Sequence, residues 1–196
     1  MKYCYLTSTD RPTNDFVFYK DWDEPGLYLP QNVAKLVCQE CRKLDQIQAL
    51  SMRYIQGDIR TRVDWIHADD GPVCVSAKGK AAVEESGAKG LIYTPFVSPR
   101  KKEFWMLTSS HKAPTEVGIE FTYGPICGTC GRYRYILGLP RIRSLQLPAD
   151  EMIVFEQSVP CETEFCIQTW LIASETVTKR LKAAKISGFR CFDVDE

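Results

Sequence analysis

Two C-x-x-C pairs, Cys38-Gln39-Glu40-Cys41 and Cys127-Gly128-Thr129-Cys130, stand with residues 42–126 between them. No other feature constrains the fold as much. Four thiolates at the corners of a tetrahedron suit Zn²⁺, and a site drawn from both pairs ties two remote stretches of chain together. With every position filled by protein there is no opening for water or substrate, so the role of such a site is structural. The second pair carries the stronger signal. It lies in Gly124-Pro125-Ile126-Cys127-Gly128-Thr129-Cys130-Gly131, where a glycine after each cysteine lets backbone amides turn towards the thiolates. Arg132-Tyr133-Arg134-Tyr135-Ile136 then alternates like a ribbon strand. The first pair has Arg42 where the second has Gly131. Two other readings stay open, reduced metal-free thiols and a redox dithiol. The latter normally opens a helix after a strand, which neither pair does. The chain has 9 cysteines, an odd number, which disfavours a disulfide framework. Cys4, Cys74, Cys161, Cys166 and Cys191 read as small core residues.

A second feature is a repeated unit. Val73-Cys74-Val75-Ser76 leads into an Ala/Glu/Lys segment and then Gly90-Leu91-Ile92-Tyr93. Leu171-Ile172-Ala173-Ser174 leads into a Lys/Arg/Ala segment and then Gly188-Phe189-Arg190-Cys191-Phe192. Ser76 and Ser174 are placed to cap helix N-termini. Gly90 and Gly188 stand where the chain leaves each helix. Val83 and Leu181 are the expected inward positions. Each copy reads as strand–helix–strand. Chance likeness of two ordinary segments is the alternative to duplication. Elsewhere, Phe16-Val17-Phe18-Tyr19 reads as a strand and Asp21 to Gly26 as a turn. The spacing of Val33, Leu36, Val37, Leu44, Ile47 and Leu50 predicts a helix over much of 43–56.

These patterns predict an α+β fold: two related strand–helix–strand lobes joined by a zinc-ribbon-like Cys4 site. At 196 residues, 44% hydrophobic and 26% charged, the chain suits a single domain, 1–196, with 1–98 and 99–196 as its lobes if it divides. Lysine plus arginine balances aspartate plus glutamate at 25 each, which disfavours a globally cationic nucleic-acid binder. No apolar run approaches a membrane span. Met1 to Asp10 lacks the marks of a signal peptide. The expected location is the cytoplasm.

Catalytic signals are weak. His67-Ala68-Asp69 and the later Cys127 pair imitate a zinc deaminase signature but fail it twice. Asp69 replaces the required glutamate, and Ile126 separates proline from cysteine. His67 and His111 read as surface or capping histidines. No phosphate-binding loop, dinucleotide fingerprint or nucleophile elbow occurs. A non-catalytic role is expected.

Binding signals are local. Arg100-Lys101-Lys102 beside Phe104-Trp105, with Arg132, Tyr133, Arg134 and Tyr135, fits either a grip on single-stranded nucleic acid or a solvated strand face. The acidic stretch from Asp150 to Glu164, including Glu162, is either solvated surface or a match for a basic protein partner.

The order of these motifs resembles the double-CXXCG motif proteins, a bacterial family that includes immunity proteins of polymorphic and contact-dependent toxin systems. The likeness rests on Cys38 and Cys41, on Cys127, Cys130 and Gly131, on Leu147-Pro148-Ala149-Asp150, and on Ser174-Glu175 to Gly188-Phe189. Arg42 departs from the family's glycine. The resemblance implies a structural zinc at the four cysteines, and a role in binding and neutralising a cognate toxin by stoichiometric occlusion. Trp22, Tyr28, Trp105, Tyr133, Arg134, Glu162 and Glu164 are the candidate partner-binding residues, the aromatic ones having core packing as the alternative. The competing reading is a zinc-ribbon protein associated with nucleic acid.

Overall fold

The computed structural model describes residues 2–8, 17, 35–45, 48, 59–68, 71–98, 102–109, 122–134, 136–137, 152–158 and 167–193. They form an α+β fold of two antiparallel sheets and two helices. The six-stranded sheet has the order β10-β1-β9-β8-β7-β6, from Phe189–Asp193, Tyr3–Ser8, Ile167–Ser174, Met152–Ser158, Ile136–Leu137 and Thr122–Tyr123. The four-stranded sheet has the order β2-β3-β5-β4, from Trp65–His67, Val73–Val75, Glu103–Ser109 and Leu91–Val97. Helix α1 spans Ala77–Glu85 and α2 spans Glu175–Ala183.

Both repeated segments fold as strand–helix–strand. Ser76 Oγ accepts from Gly79 N and Ser174 Oγ accepts from Val177 N, so each serine caps its helix. Gly90 and Gly188 take φ of 79° and 81°, a region open to glycine at no steric cost. Val83 and Leu181 are fully buried. In each unit the strand before the helix and the strand after it flank a third strand antiparallel to both. Val73, Leu107 and Tyr93 are level across β3-β5-β4, as Leu171, Leu6 and Cys191 are across β9-β1-β10. Val75, Trp105 and Pro95 match Ala173, Cys4 and Asp193 in the same way. The middle strand has opposite origins. β5 follows its unit directly, whereas β1 comes from the start of the chain. A cut at 98/99 therefore does not fall between the sheets, because β5 lies beyond it and β1 before it.

One core lies between the sheets and helices. Leu6, Trp65, Val73, Val75, Val83, Leu107, Leu171, Ala173, Val177 and Leu181 are its fully buried members, drawn from both units. A second core covers the opposite face of the small sheet, where Ile66, Cys74, Phe96, Phe104 and Met106 meet Val17, Val37, Leu44 and Ile59. The alternation Trp65/Ile66 and Val73/Cys74 feeds the two faces, as strand geometry requires.

Asp64 fastens the units together. Its carboxylate accepts from Ser76 Oγ (2.9 Å), Ser187 N (3.0 Å) and Ser187 Oγ (2.8 Å) and pairs with Lys78 (3.3 Å). Burial pushes the Asp64 carboxyl up, but the Ser187 amide and hydroxyl, Ser76 and Lys78 together outweigh it and hold it below the usual range. From α2, Arg180 Nη1 donates to Ser86 O at 2.8 Å, capping the end of α1.

Cys4 and Cys74 are buried and Cys191 is half-buried, while Cys161 and Cys166 lie outside the described residues. So do the 16–19 strand, except for Val17, and most of the 43–56 helix. That helix does not begin at 43. Leu44 bridges back to Val37, and the first helical sign is Asp45 Oδ1 accepting from Gln48 N at 2.9 Å. β8 runs inside the acidic stretch, paired with β7 and β9. Glu162 and Glu164 lie outside the described residues.

Candidate metal centre

Both C-x-x-C pairs form the same knuckle. Cys38 N donates to Lys43 O (3.0 Å), Arg42 N to Cys38 O (2.8 Å) and Asp45 N to Leu36 O (3.1 Å). Cys127 N donates to Arg132 O (2.8 Å), Gly131 N to Cys127 O (2.9 Å) and Arg134 N to Pro125 O (2.9 Å). Bridges Val37↔Leu44 and Ile126↔Tyr133 close the two necks. The residue after the second cysteine must turn left-handed. Gly131 does so at φ 69°, and Arg42 does so at φ 62°. Arg42 thus keeps the knuckle that its departure from glycine put in question, at a cost in backbone strain. The first knuckle roots in the second core through Val37 and Leu44. The second is the tip of the β6–β7 hairpin at the edge of the large sheet.

The knuckles face each other across four free thiols. Cys38 Sγ lies 3.6 Å from Cys127 Sγ, Cys41 Sγ lies 3.3 Å from Cys130 Sγ, and all four sulfurs fall within 4.8 Å of one another. Zn–S bonds of about 2.3 Å place the sulfurs of a tetrahedron about 3.8 Å apart. The cluster is therefore of a size to hold one such ion, and the four-thiolate donor set also suits iron. All four cysteines singled out in the sequence meet here. They can bind a metal ion, and with four protein ligands they leave no substrate position.

Local electrostatics favour a cation. The amide of Cys41, helped by that of Glu40, draws the Cys38 thiol down to about 6. Burial pushes Cys41 up to about 12 and raises Cys127, and the thiols facing them add to the rise. The Cys38 thiolate forms readily, while Cys41 and Cys127 are disposed to ionise only with a positive ion among them.

Polar contacts brace the two knuckles. Glu40 pairs with Arg134 Nη2 at 2.5 Å and accepts from Thr129 Oγ1 at 2.9 Å. Arg134 foremost, then Thr129, holds the Glu40 carboxyl down at about 2. Lys43 Nζ donates to Tyr133 O, and Arg132 Nη1 donates to Leu44 O at 3.1 Å. No motif reading flagged Lys43, Glu40 or Thr129. Their only sequence signal is position, because Lys43 and Arg132 each stand two residues past a second cysteine.

The other candidates lie apart or elsewhere. Trp105 is half-buried on β5, with Lys80 Nζ 5.4 Å from its ring centre. His67 is half-buried on β2 with Nδ1 3.5 Å from Thr7 Oγ1, and burial lowers its pKa. Trp22, Tyr28 and His111 lie outside the described residues. Among the described residues no helix is long and apolar enough to cross a membrane.

Fold and site define an α+β protein with a four-cysteine cluster able to hold a metal ion. No family model matches the chain, and no curated protein matches it.

Proposed function

We propose that this chain is an immunity protein that occludes a cognate toxin domain, with a structural zinc ion at Cys38, Cys41, Cys127 and Cys130. The observation that carries the reading is the matched pair of C-x-x-C knuckles, the motif on which the resemblance to the double-CXXCG proteins rests. A four-thiolate site between remote segments suits a binding scaffold rather than a catalyst. On this reading the units around α1 and α2 are related lobes, and the zinc ion joins the hairpin of one to the rear core of the other.

The alternative, a nucleic-acid-associated ribbon, is the weaker one. Arg132 is engaged with Leu44 O and Arg134 with Glu40, so both guanidiniums already have partners in the chain itself. Trp105, Tyr133 and Arg134 remain partner candidates, as do Glu162 and Glu164 outside the described residues.

Co-expression with toxin domains encoded beside this gene tests the proposal. Restored growth, with a one-to-one complex recovered at moderate salt, is the expected outcome. Failure to neutralise any of them overturns it. Nucleic-acid binding that weakens steeply with salt would instead establish the ribbon reading.

A further inference from the structure

Two of the sulfur contacts cross from one knuckle to the other. Cys41 Sγ lies 3.3 Å from Cys130 Sγ, and Cys38 Sγ lies 3.6 Å from Cys127 Sγ. Each joins equivalent positions, first cysteine to first and second to second. An S–S bond is about 2.0 Å long, so each pair has roughly 1.3–1.6 Å left to close. Small χ1 rotations at both cysteines cover that distance. All four thiols are free.

Contacts that involve no sulfur hold the knuckles face to face. Glu40, between the cysteines of the first pair, is ion-paired with Arg134. It also accepts from Thr129 Oγ1, between the cysteines of the second pair, at 2.9 Å. Arg132 Nη1 donates to Leu44 O at 3.1 Å, and Leu44 is anchored in the second core. The facing sulfurs are thus presented to each other by contacts that need no ion. Cys38, Cys41 and Cys130 are half-buried, and Cys127 is fully buried. A small oxidant therefore has access to at least one member of each facing pair, with its partner adjacent to resolve it.

We propose that the cluster is an oxidation site for hydroperoxides, which forms two disulfides across the knuckles, Cys38 to Cys127 and Cys41 to Cys130, rather than within the C-x-x-C pairs. In each, the thiolate of a half-buried cysteine attacks hydrogen peroxide. An S–O bond forms, the O–O bond breaks, and the departing hydroxide takes up a proton and leaves as water. The facing thiol then attacks the sulfenic sulfur. The S–S bond forms, the S–O bond breaks, and the second oxygen leaves as water with the second thiol's proton. Two sulfurs lose two electrons and one peroxide gains them. A metal ion held by these thiolates is released as they are consumed, because the thiolate is the ligand. The joint between the knuckles then survives the loss of its ion. This rests on the four-cysteine cluster and does not require the zinc ion of the proposed function.

The test treats reduced, chelator-stripped full-length protein with two equivalents of hydrogen peroxide, then alkylates it and digests it with trypsin without reduction. Trypsin releases 36–42 with the first pair and 113–132 with the second. The expected product is one cross-linked species of these two peptides, with the four thiols lost to alkylation, which dithiothreitol separates. Peptides that come apart unreduced, whether each carries its own disulfide or none, overturn the proposal. Cys41→Ser with Cys130→Ser, and Cys38→Ser with Cys127→Ser, each keep one facing pair and should still cross-link. Cys38→Ser with Cys130→Ser keeps a diagonal pair and should cross-link more slowly. Equal rates in all three overturn the assigned pairing. If a variant does not fold, the wild-type peptide map decides between crossed and in-pair bonds. A parallel titration with Zn²⁺ separates this proposal from the zinc reading. Wild type that binds no zinc yet cross-links overturns the zinc reading and supports the oxidation site. Wild type that binds zinc but whose peptides come apart overturns the oxidation site alone.

Discussion

Backbone conformation at two single residues explains how the site and the units close. At Gly188 an added Cβ would lie 2.5 Å from Trp65 O and 2.8 Å from Val63 Cβ, and φ is 81°. Gly188→Ala therefore meets both a left-handed penalty of about 1–2 kcal/mol and a backbone clash. Chemical denaturation should show a loss of at least that size. Arg42 is the converse case. It holds φ 62° with a Cβ that the left-handed region disfavours. Arg42→Gly should stabilise the protein by up to about 1 kcal/mol in the same assay, as relief of left-handed strain. The sequence marked Arg42 as an exception to the knuckle pattern. That the backbone accepts the strain follows from the surrounding hydrogen bonds and the neck bridge, which no single position announces.

Among the elements, the helix caps were legible and their cross-links were not. Ser174→Ala should cost about 1 kcal/mol, the ordinary worth of an N-cap. Ser76→Ala should cost more, because Ser76 Oγ also donates to Asp64 at 2.9 Å. A double-mutant cycle of Ser76→Ala with Asp64→Asn should reveal that coupling. Asp64 also gives a pH signature. Its folded pKa lies below the unfolded value, so its contribution is present above about pH 4 and is lost as pH falls through the folded value. Asp64→Asn should destabilise the protein at pH 7 by about 1–3 kcal/mol, with the gap to wild type closing in acid. A gap that persists unchanged at pH 2–3 would refute the assignment. At the start of the predicted 43–56 helix, periodicity alone does not place the boundary. Val37 and Leu44 are apolar at helical spacing because both enter the core behind the small sheet from opposite arms of a knuckle.

For the molecule as a whole, the four-cysteine cluster links the first knuckle, rooted behind the small sheet, to the hairpin at the edge of the large one. If it holds a metal ion, removing the ion should loosen those attachments first. Chelation, or Cys127→Ser, should lower the melting temperature and release that ion. Hydrogen exchange should then rise over residues 35–45 and 122–137 while β1, β3, β5 and β9 stay protected. Their strands are sealed in the core between the sheets and depend on no ligand. Uniform exchange over the whole fold would mean that the centre supports the core itself.

The sequence by itself determined what local chemistry encodes: the two knuckles, the two capped strand–helix–strand units with their glycine exits, and the inward positions Val83 and Leu181. Each is set by residues near one another in the chain, so spacing and residue type suffice. Only the tertiary structure decided what depends on distant partners. It placed β1 beside β9 and β10 in the position that β5 holds beside β3 and β4. It gave Asp64 its three donors, and it crossed Lys43 and Arg132 between knuckles. Strand pairing and long-range hydrogen bonds are won by competition among many remote segments, and the winner is fixed by what the shared core buries, which no local pattern records.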